Sequence, residues 1–417
     1  MSRCATDACA AAVVGRGAPE HPHRTIAWII RGDESYGVRQ GTLSLLQGLR
    51  ELGWCTPVVS LRRGDTASAS ERLGCGVYYV EQNLASRPDG GIWRKVLHFA
   101  VHQRQTRKVS TSIAAVLRPM HPDGIHIPWP DLVTVAGQVA ASLGVPCLWH
   151  LPTVIRDSKL FGAPVVALFY QWQCRQYRIL PLANSRATAA TLGGLWVKPK
   201  VLHLGVDAHR FDPDRVSPVR RGDLGIPQDA LVFGMFGRVL PEKGQDRVLK
   251  AIASVQTTGP ELHLLIVGDP THGPYAEHLR QIAAEHNMSG RLHLLGHVED
   301  TERYYAAVDV AVNAFLGVEG FGLSVVEAMM MGKPVLVHAL GGPAETVIDG
   351  VTGWHVPEPT VPAFVQGLRR ALATREEWPQ MGAQARQDAL RNFSIDAFTT
   401  RYIAVVERTL ADRADRR

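Results

Sequence analysis

Two carboxylates eight positions apart, in Glu319-Gly-Phe-Gly-Leu-Ser-Val-Val-Glu327, open the chemistry of this sequence. Gly320 and Gly322 let backbone come close to a ligand. The helix expected to follow turns its free N–H groups and positive dipole end toward the same spot. Carboxylates hold hydroxyls and amides hold phosphate, so a phosphorylated polyol suits the segment. A plainer reading stands beside it: Ser324-Val-Val-Glu327 has the spacing of a helix capping box. Upstream, Phe236-Gly-Arg-Val-Leu-Pro-Glu-Lys-Gly244 places Arg238 and Lys243 on one turn. A guanidinium fork and an ammonium point charge suit a diphosphate, although two cations on a loop are more often a solvated face. Gly341-Gly-Pro-Ala-Glu345 is a third Gly turn, with Pro343 suited to a first helical position. Glu345 there is a ligand group or a dipole partner.

Each turn follows an apolar run that reads as a buried strand: Leu231-Val-Phe233, Val308-Asp-Val-Ala-Val312 and Pro334-Val-Leu-Val. The first half repeats the plan. Thr25-Ile-Ala-Trp-Ile-Ile30 is a strand, Arg31 to Gly37 a polar loop, and Gln40 to Leu52 a helix with Leu43, Leu46 and Leu49 on one stripe. Gly53 ends it and Cys55-Thr-Pro-Val-Val-Ser60 is the next strand, completing a βαβ unit. Asp123 to Ile127 and Val145 to His150 read as further strands, bringing His126 and His150 near carboxyl ends, where open α/β sheets bind ligands. A lone His there is more often a packed residue. Leu180-Pro-Leu-Ala-Asn-Ser185 closes the set, with Ser185 as expected cap of a helix through Leu192.

The 417 residues exceed one core and suit two domains. Apolar content of 46% and charged content of 20% are ordinary for a globular protein, and no apolar run reaches the roughly 18 residues of a membrane span. Residues 1–23 lack periodicity, make a poor signal peptide and read as a disordered tail. Six cysteines without metal spacing read as reduced thiols, Cys55 and Cys147 among them buried, which places the chain in the cytoplasm. Residues 1–200 carry net charge +11 and the remainder −5, within a total of +6. Residues 90–122 hold six Lys or Arg and no acid, with apolar residues interleaved. One reading of 92–118 is a weak peripheral contact with the inner face of an anionic membrane. The other, preferred, is a solvated face backed by core. No groove-reading module or aromatic ladder points to nucleic acid.

The order Gly-Arg-x4-Lys-Gly, Glu-Gly-Phe-Gly, a second Glu, then Gly-Gly-x-x-Glu resembles the retaining glycosyltransferases of family 4, the group 1 glycosyl transferases. Leu204-Gly-Val-Asp-Ala-His-Arg-Phe-Asp-Pro213, Leu264-Leu-Ile-Val-Gly-Asp269 and Leu292 to Asp300 resemble further family segments. The likeness runs from about residue 25 to the C-terminus and is loose in the first half. It implies a GT-B fold: α/β, two Rossmann-like domains with parallel sheets facing across a cleft, and a C-terminal helix crossing back. The implied borders are 24–203 for an acceptor-binding domain, 204–392 for a nucleotide-sugar-binding domain and 393–417 for the returning helix.

The resemblance further implies transfer from a nucleotide-diphosphate sugar to a saccharide, small-molecule or lipid-linked hydroxyl, giving an α-glycoside in carbohydrate or glycoconjugate biosynthesis. Another GT-B sugar-nucleotide enzyme (an epimerase or phosphorylase) and a non-catalytic sugar-binding subunit are the alternatives. Arg238 and Lys243 would neutralise the leaving diphosphate, Glu319 with the Gly320–Gly322 amides would hold sugar hydroxyls, and Glu327 would hold the ribose. The Leu323 and Ser324 amides would touch phosphate, His150 would face the donor sugar, and Gly237, Phe321, Val298 and Glu345 would complete the donor site. The family's first loop carries Gly-Gly where this chain has Tyr36 and Gly37, so only Gly37 matches. No metal or other cofactor is implied: no Asp-x-Asp stands at the donor site, and the diphosphate oxygen itself would take the acceptor proton.

Overall fold

The computed structural model describes residues 24–34, 36–81, 92–155, 162–255 and 259–415, with side chains in the long helix described from 104 on. The tail expected at 1–23 lies outside these residues. The chain forms two units. The first takes in the chain up to Asn184, Thr188–Gly205 and Phe398 onward; the second takes in Ser185–Ala187 and Val206–Ala397. The main border between the units falls after Gly205. The helix Ile395–Ala414 starts in the second unit and joins the first from Phe398.

The first unit is built on a parallel sheet of β1 (Ile26–Ile30), β2 (Val58–Ser60), β3 (Val77–Tyr79), β4 (Gly124–Ile127), β5 (Cys147–Leu151), β6 (Ile179–Ala183) and β7 (Lys200–Val201). Its order is β3-β2-β1-β4-β5-β6-β7. β1 is apolar at all five positions and wholly buried, as a strand covered by helices on both faces must be. The second unit holds β8 (Leu231–Phe236), β9 (Leu262–Val267), β10 (Leu292–Leu294), β11 (Val310–Asn313), β12 (Val335–His338) and β13 (Gly353–Val356), in the order β10-β9-β8-β11-β12-β13. In each parallel sheet the order in which successive strands are added reverses once, between β1 and β4 and between β8 and β11. Open α/β sheets bind ligands at such switch points, outside the carboxyl ends of the strands.

Local expectations shift in places. The first helix runs Tyr36–Glu51, so Gly37 sits in a helical turn, not in the loop, behind Tyr36 at φ +49°. Cys55 is disulfide-bonded, against the expected buried thiol, whereas Cys75, Cys147 and Cys174 are buried free thiols. In the helix Ile92–Leu117, Arg104, Arg107 and Lys108 are exposed while Val109, Ile113 and Leu117 join the core. From 104 on, the preferred reading of the basic stretch, a solvated face backed by core, is what the packing gives. The side chains of Arg94 and Lys95 lie outside the described residues. No helix among the described residues is long and apolar enough to cross a membrane.

Candidate active site of the second unit

The loop leaving β8 carries Gly237 and Arg238, then a short turn Pro241–Lys243, before the helix Gln245–Ser254. The loop leaving β11 carries Phe315 and Glu319. The switch point between these strands therefore brings Lys243 beside the first carboxylate of the opening motif. Lys243 Nζ donates to Glu319 Oε2 at 3.1 Å and lies 4.6 Å from the Phe315 ring centre, an ammonium over an aromatic face. Gly237, Arg238, Lys243, Gln245, Asn313 and Phe315 line one recess here. Arg238 is exposed and Lys243 half-buried. Gln245, unmarked by any motif reading, is buried and donates from Nε2 to the Arg238 carbonyl at 2.9 Å, pinning the loop.

Glu319 is held from behind by the third Gly turn. Its carbonyl accepts from Gly342 N–H at 2.8 Å. A Cβ on Gly341, at φ +87°, would stand 2.1 Å from the Glu319 carbonyl oxygen, and one on Gly342 would stand 2.4 Å from Phe321 Cα. These glycines exist so that two loops can touch. Gly320 and Phe321 are buried, and the Phe321 ring packs edge-on to Phe393 at 5.8 Å.

Gly322, at φ +84°, precedes the helix Leu323–Met330, and no side chain caps it. Ser324 lies inside the helix, so the capping box allowed by Ser324 and Glu327 does not form. Glu327 instead meets Tyr305: the Tyr305 hydroxyl lies 2.9 Å from Glu327 Oε2 and 3.1 Å from the Ser324 carbonyl. Burial pushes the Glu327 carboxyl above its ordinary value, and the Tyr305 bond works against that shift. Tyr305 itself is stacked on Phe236 at 3.6 Å. Its place between two loops gave no signal beyond an aromatic in a short helix.

This arrangement sets an expectation for Glu327. Glu327→Gln keeps an acceptor for the Tyr305 hydroxyl and melts like the parent, yet binds nucleotide more weakly, because an amide accepts on one atom only. Glu327→Ala removes a buried partner and costs about 1–3 kcal/mol. Thermal melts beside calorimetric titration with nucleoside diphosphate separate the two. Parental binding by Glu327→Gln would leave Glu327 a structural partner of Tyr305 alone.

The remaining candidates fall elsewhere. Glu345 accepts from the backbone N–H groups of Arg186 and Ala187, both at 3.0 Å. Val298 packs on the small cluster of Val232, Leu265 and Val267. In the first unit His150 is buried on β5, 5.9 Å from the Phe398 ring and 6.0 Å from that of His126. Burial pushes its pKa down to about 4, and its Nε2 is buried without a hydrogen-bond partner. His126 Nδ1 lies 3.0 Å from the Tyr402 hydroxyl. Among the described residues no cluster of three or more His, Cys, Asp or Glu could hold a metal ion.

Residues 217–388 match the family model described as glycosyl transferases group 1. The D-inositol 3-phosphate glycosyltransferase of Kribbella flavida is 33% identical over 371 residues, 81% of this chain and 82% of that one. The chain belongs to the group 1 glycosyl transferases. A D-inositol 3-phosphate glycosyltransferase of Geodermatophilus obscurus is 36% identical over 217 residues, 50% of this chain and 47% of its own. The chain thus spans about half the length of several curated relatives it matches. In fold, a glycosyltransferase of Rickettsia africae superposes with a TM-score of 0.78 at 18% identity, covering 94% of this group 1 chain and 99% of its own. Anabaena HepE, solved in complex with UDP, gives 0.77 at 20% identity over 92% of this chain and 100% of its own. These neighbours have the GT-B fold, and both Rossmann-like units of the present chain fit it.

Proposed function

We propose that this chain is a retaining glycosyltransferase that moves a sugar from a nucleoside-diphosphate sugar to a hydroxyl acceptor, giving an α-glycoside. The observation that carries the reading is the Lys243–Glu319 pair beside Arg238 at the β8/β11 switch point. In the transfer the bond from the anomeric carbon to the diphosphate oxygen breaks. A bond to the acceptor oxygen forms on the same face, and the acceptor proton passes to the diphosphate. The largest electrostatic demand is charge growing on the leaving group. Arg238 and Lys243 are placed to meet it, and the Leu323 and Ser324 amides at the start of an eight-residue helix add their dipole. Glu319 holds sugar hydroxyls, and Glu327, oriented by Tyr305, holds the ribose. His150 stays neutral near pH 7, so its unpartnered Nε2 suits a hydrogen bond with a hydroxyl better than a charge.

Nucleotide sugars labelled in the sugar, incubated with and without acceptor alcohols, test this. A transferase releases nucleoside diphosphate and forms glycoside only with acceptor. Turnover without acceptor identifies an epimerase or hydrolase, and binding without turnover a sugar-binding subunit. Since cationic side chains fill the role of a metal, activity is unchanged by EDTA, measured as product formed before and after chelation. A strict Mn²⁺ or Mg²⁺ requirement would count against the clamp.

A further inference from the structure

The helix Ala163–Tyr177 in the first unit leaves an apolar stripe facing solvent. Ala167, Gln171 and Cys174 form its buried side. Val165, Leu168, Phe169 and Trp172, at the i, i+3, i+4, i+7 spacing of one face, are each 45–49% exposed. Two further exposed apolar residues lie on a loop that is tied to this helix. The buried Gln171 donates from Nε2 to the Gly193 and Val197 carbonyls at 3.0 and 2.8 Å. Its Oε1 accepts from the Trp196 and Val197 N–H groups at 3.1 and 2.9 Å. That four-point clasp seats Leu195 (66% exposed) and Trp196 (42% exposed) beside the helix. Scattered exposed apolar residues need no explanation, but four large ones on one helix face, with two more on the loop clasped to that helix, do.

Charge selects the occupant. From 162 to 206 the chain contains five Lys or Arg and no acidic residue. Arg175 and Arg178, at the end of this helix, and Lys198, two residues after Trp196 in the loop, are exposed. Trp and Phe within a cationic rim form the pattern of a surface that sinks shallowly into the headgroup region of an anionic bilayer. A second copy of the chain fits less well, because pairing this face with itself would set like charges against each other. The basic helix Ile92–Leu117 does not compete for the role over its described turns, where Val109, Ile113 and Leu117 are spent on the core.

We propose that the face made by Ala163–Tyr177 and the Leu195–Trp196 loop docks this protein on an anionic lipid surface. Full-length protein is sedimented with vesicles of phosphatidylcholine alone and of phosphatidylcholine with phosphatidylglycerol. It pellets with the second and not the first, and salt reduces the effect. Phe169→Ser with Trp172→Ser lowers the bound fraction about tenfold or more with little change in melting temperature, since each side chain is only about half buried. Arg175→Gln with Lys198→Gln weakens binding to the anionic vesicles alone and provides a readout that does not depend on the apolar pair. Equal binding by all three proteins, or no binding by the parent, overturns the proposal. So does light scattering that shows the parent dimeric and Phe169→Ser/Trp172→Ser monomeric, which assigns the face to a second copy. Transfer to a water-soluble acceptor is unaffected by these variants, so failure here is distinct from failure of the transferase reading.

Discussion

Lys243→Ala lowers turnover about 10²-fold or more while leaving the fold intact. The ammonium is one of two side-chain cations in the recess at the β8/β11 switch point, and it is already in place before any ligand arrives. Loss of one preorganised charge-stabilising group of this kind raises a barrier by roughly 2.7 kcal/mol or more. The stability side is small. Lys243 and Glu319 keep 25% and 20% of their side-chain surface in water, and ion pairs of that exposure contribute roughly 0–1 kcal/mol. Arg238→Ala behaves alike, since the buried Gln245 holds the loop through the Arg238 carbonyl rather than its side chain. Initial rates at saturating donor, beside melting curves, decide the matter. Near-parental turnover in either variant removes the diphosphate clamp, and a collapse in melting temperature moves Lys243 from chemistry to structure.

Glu319→Gln abolishes transfer with little change in melting temperature. The backbone of Glu319 is tied to the Gly341-Gly342 turn and is untouched by the substitution. Its side chain meets Lys243, to which an amide oxygen still offers an acceptor. What is lost is the charge. A carboxylate accepts from two sugar hydroxyls at once and also counters the ammonium, whereas an amide does neither fully. The contrast with Gly341→Ala is useful. That variant keeps every charged group but drives a Cβ into the Glu319 carbonyl, so it loses stability and activity together. A Glu319→Gln protein that still transfers sugar near the parental rate would falsify the assignment of this carboxylate to the donor.

Much of the architecture was legible in the chain. Buried parallel strands are written as short, continuously apolar runs, and β1, β8, β11 and β12 lie where those runs were read. The Gly turns after them could be read for the same reason: a tight strand-to-helix connection admits few residue types. The family motif then pointed to both cations and both carboxylates. Boundaries drifted at helix starts, as with Tyr36, because a residue forced to positive φ carries no mark in sequence.

What sequence alone left open were choices between two uses of one residue, and tertiary packing settled several. Glu327 fits a cap by spacing, but a hydroxyl 22 positions away takes its oxygen. Gly341 and Gly342 could have faced a ligand, but serve the contact that seats Glu319. Glu345 could have been a local dipole partner, yet its carboxylate accepts from the Ala187 N–H, 158 residues earlier in the chain. Lys243 and Glu319 are 76 residues apart and meet because sheet order places β11 beside β8. His126 reaches Tyr402 across 276 residues. The division has one physical cause. Propensity, capping and strand apolarity act within a few residues, so they are inscribed in local sequence. A carboxylate's partner depends on which strands lie side by side, and only the folded sheet determines that.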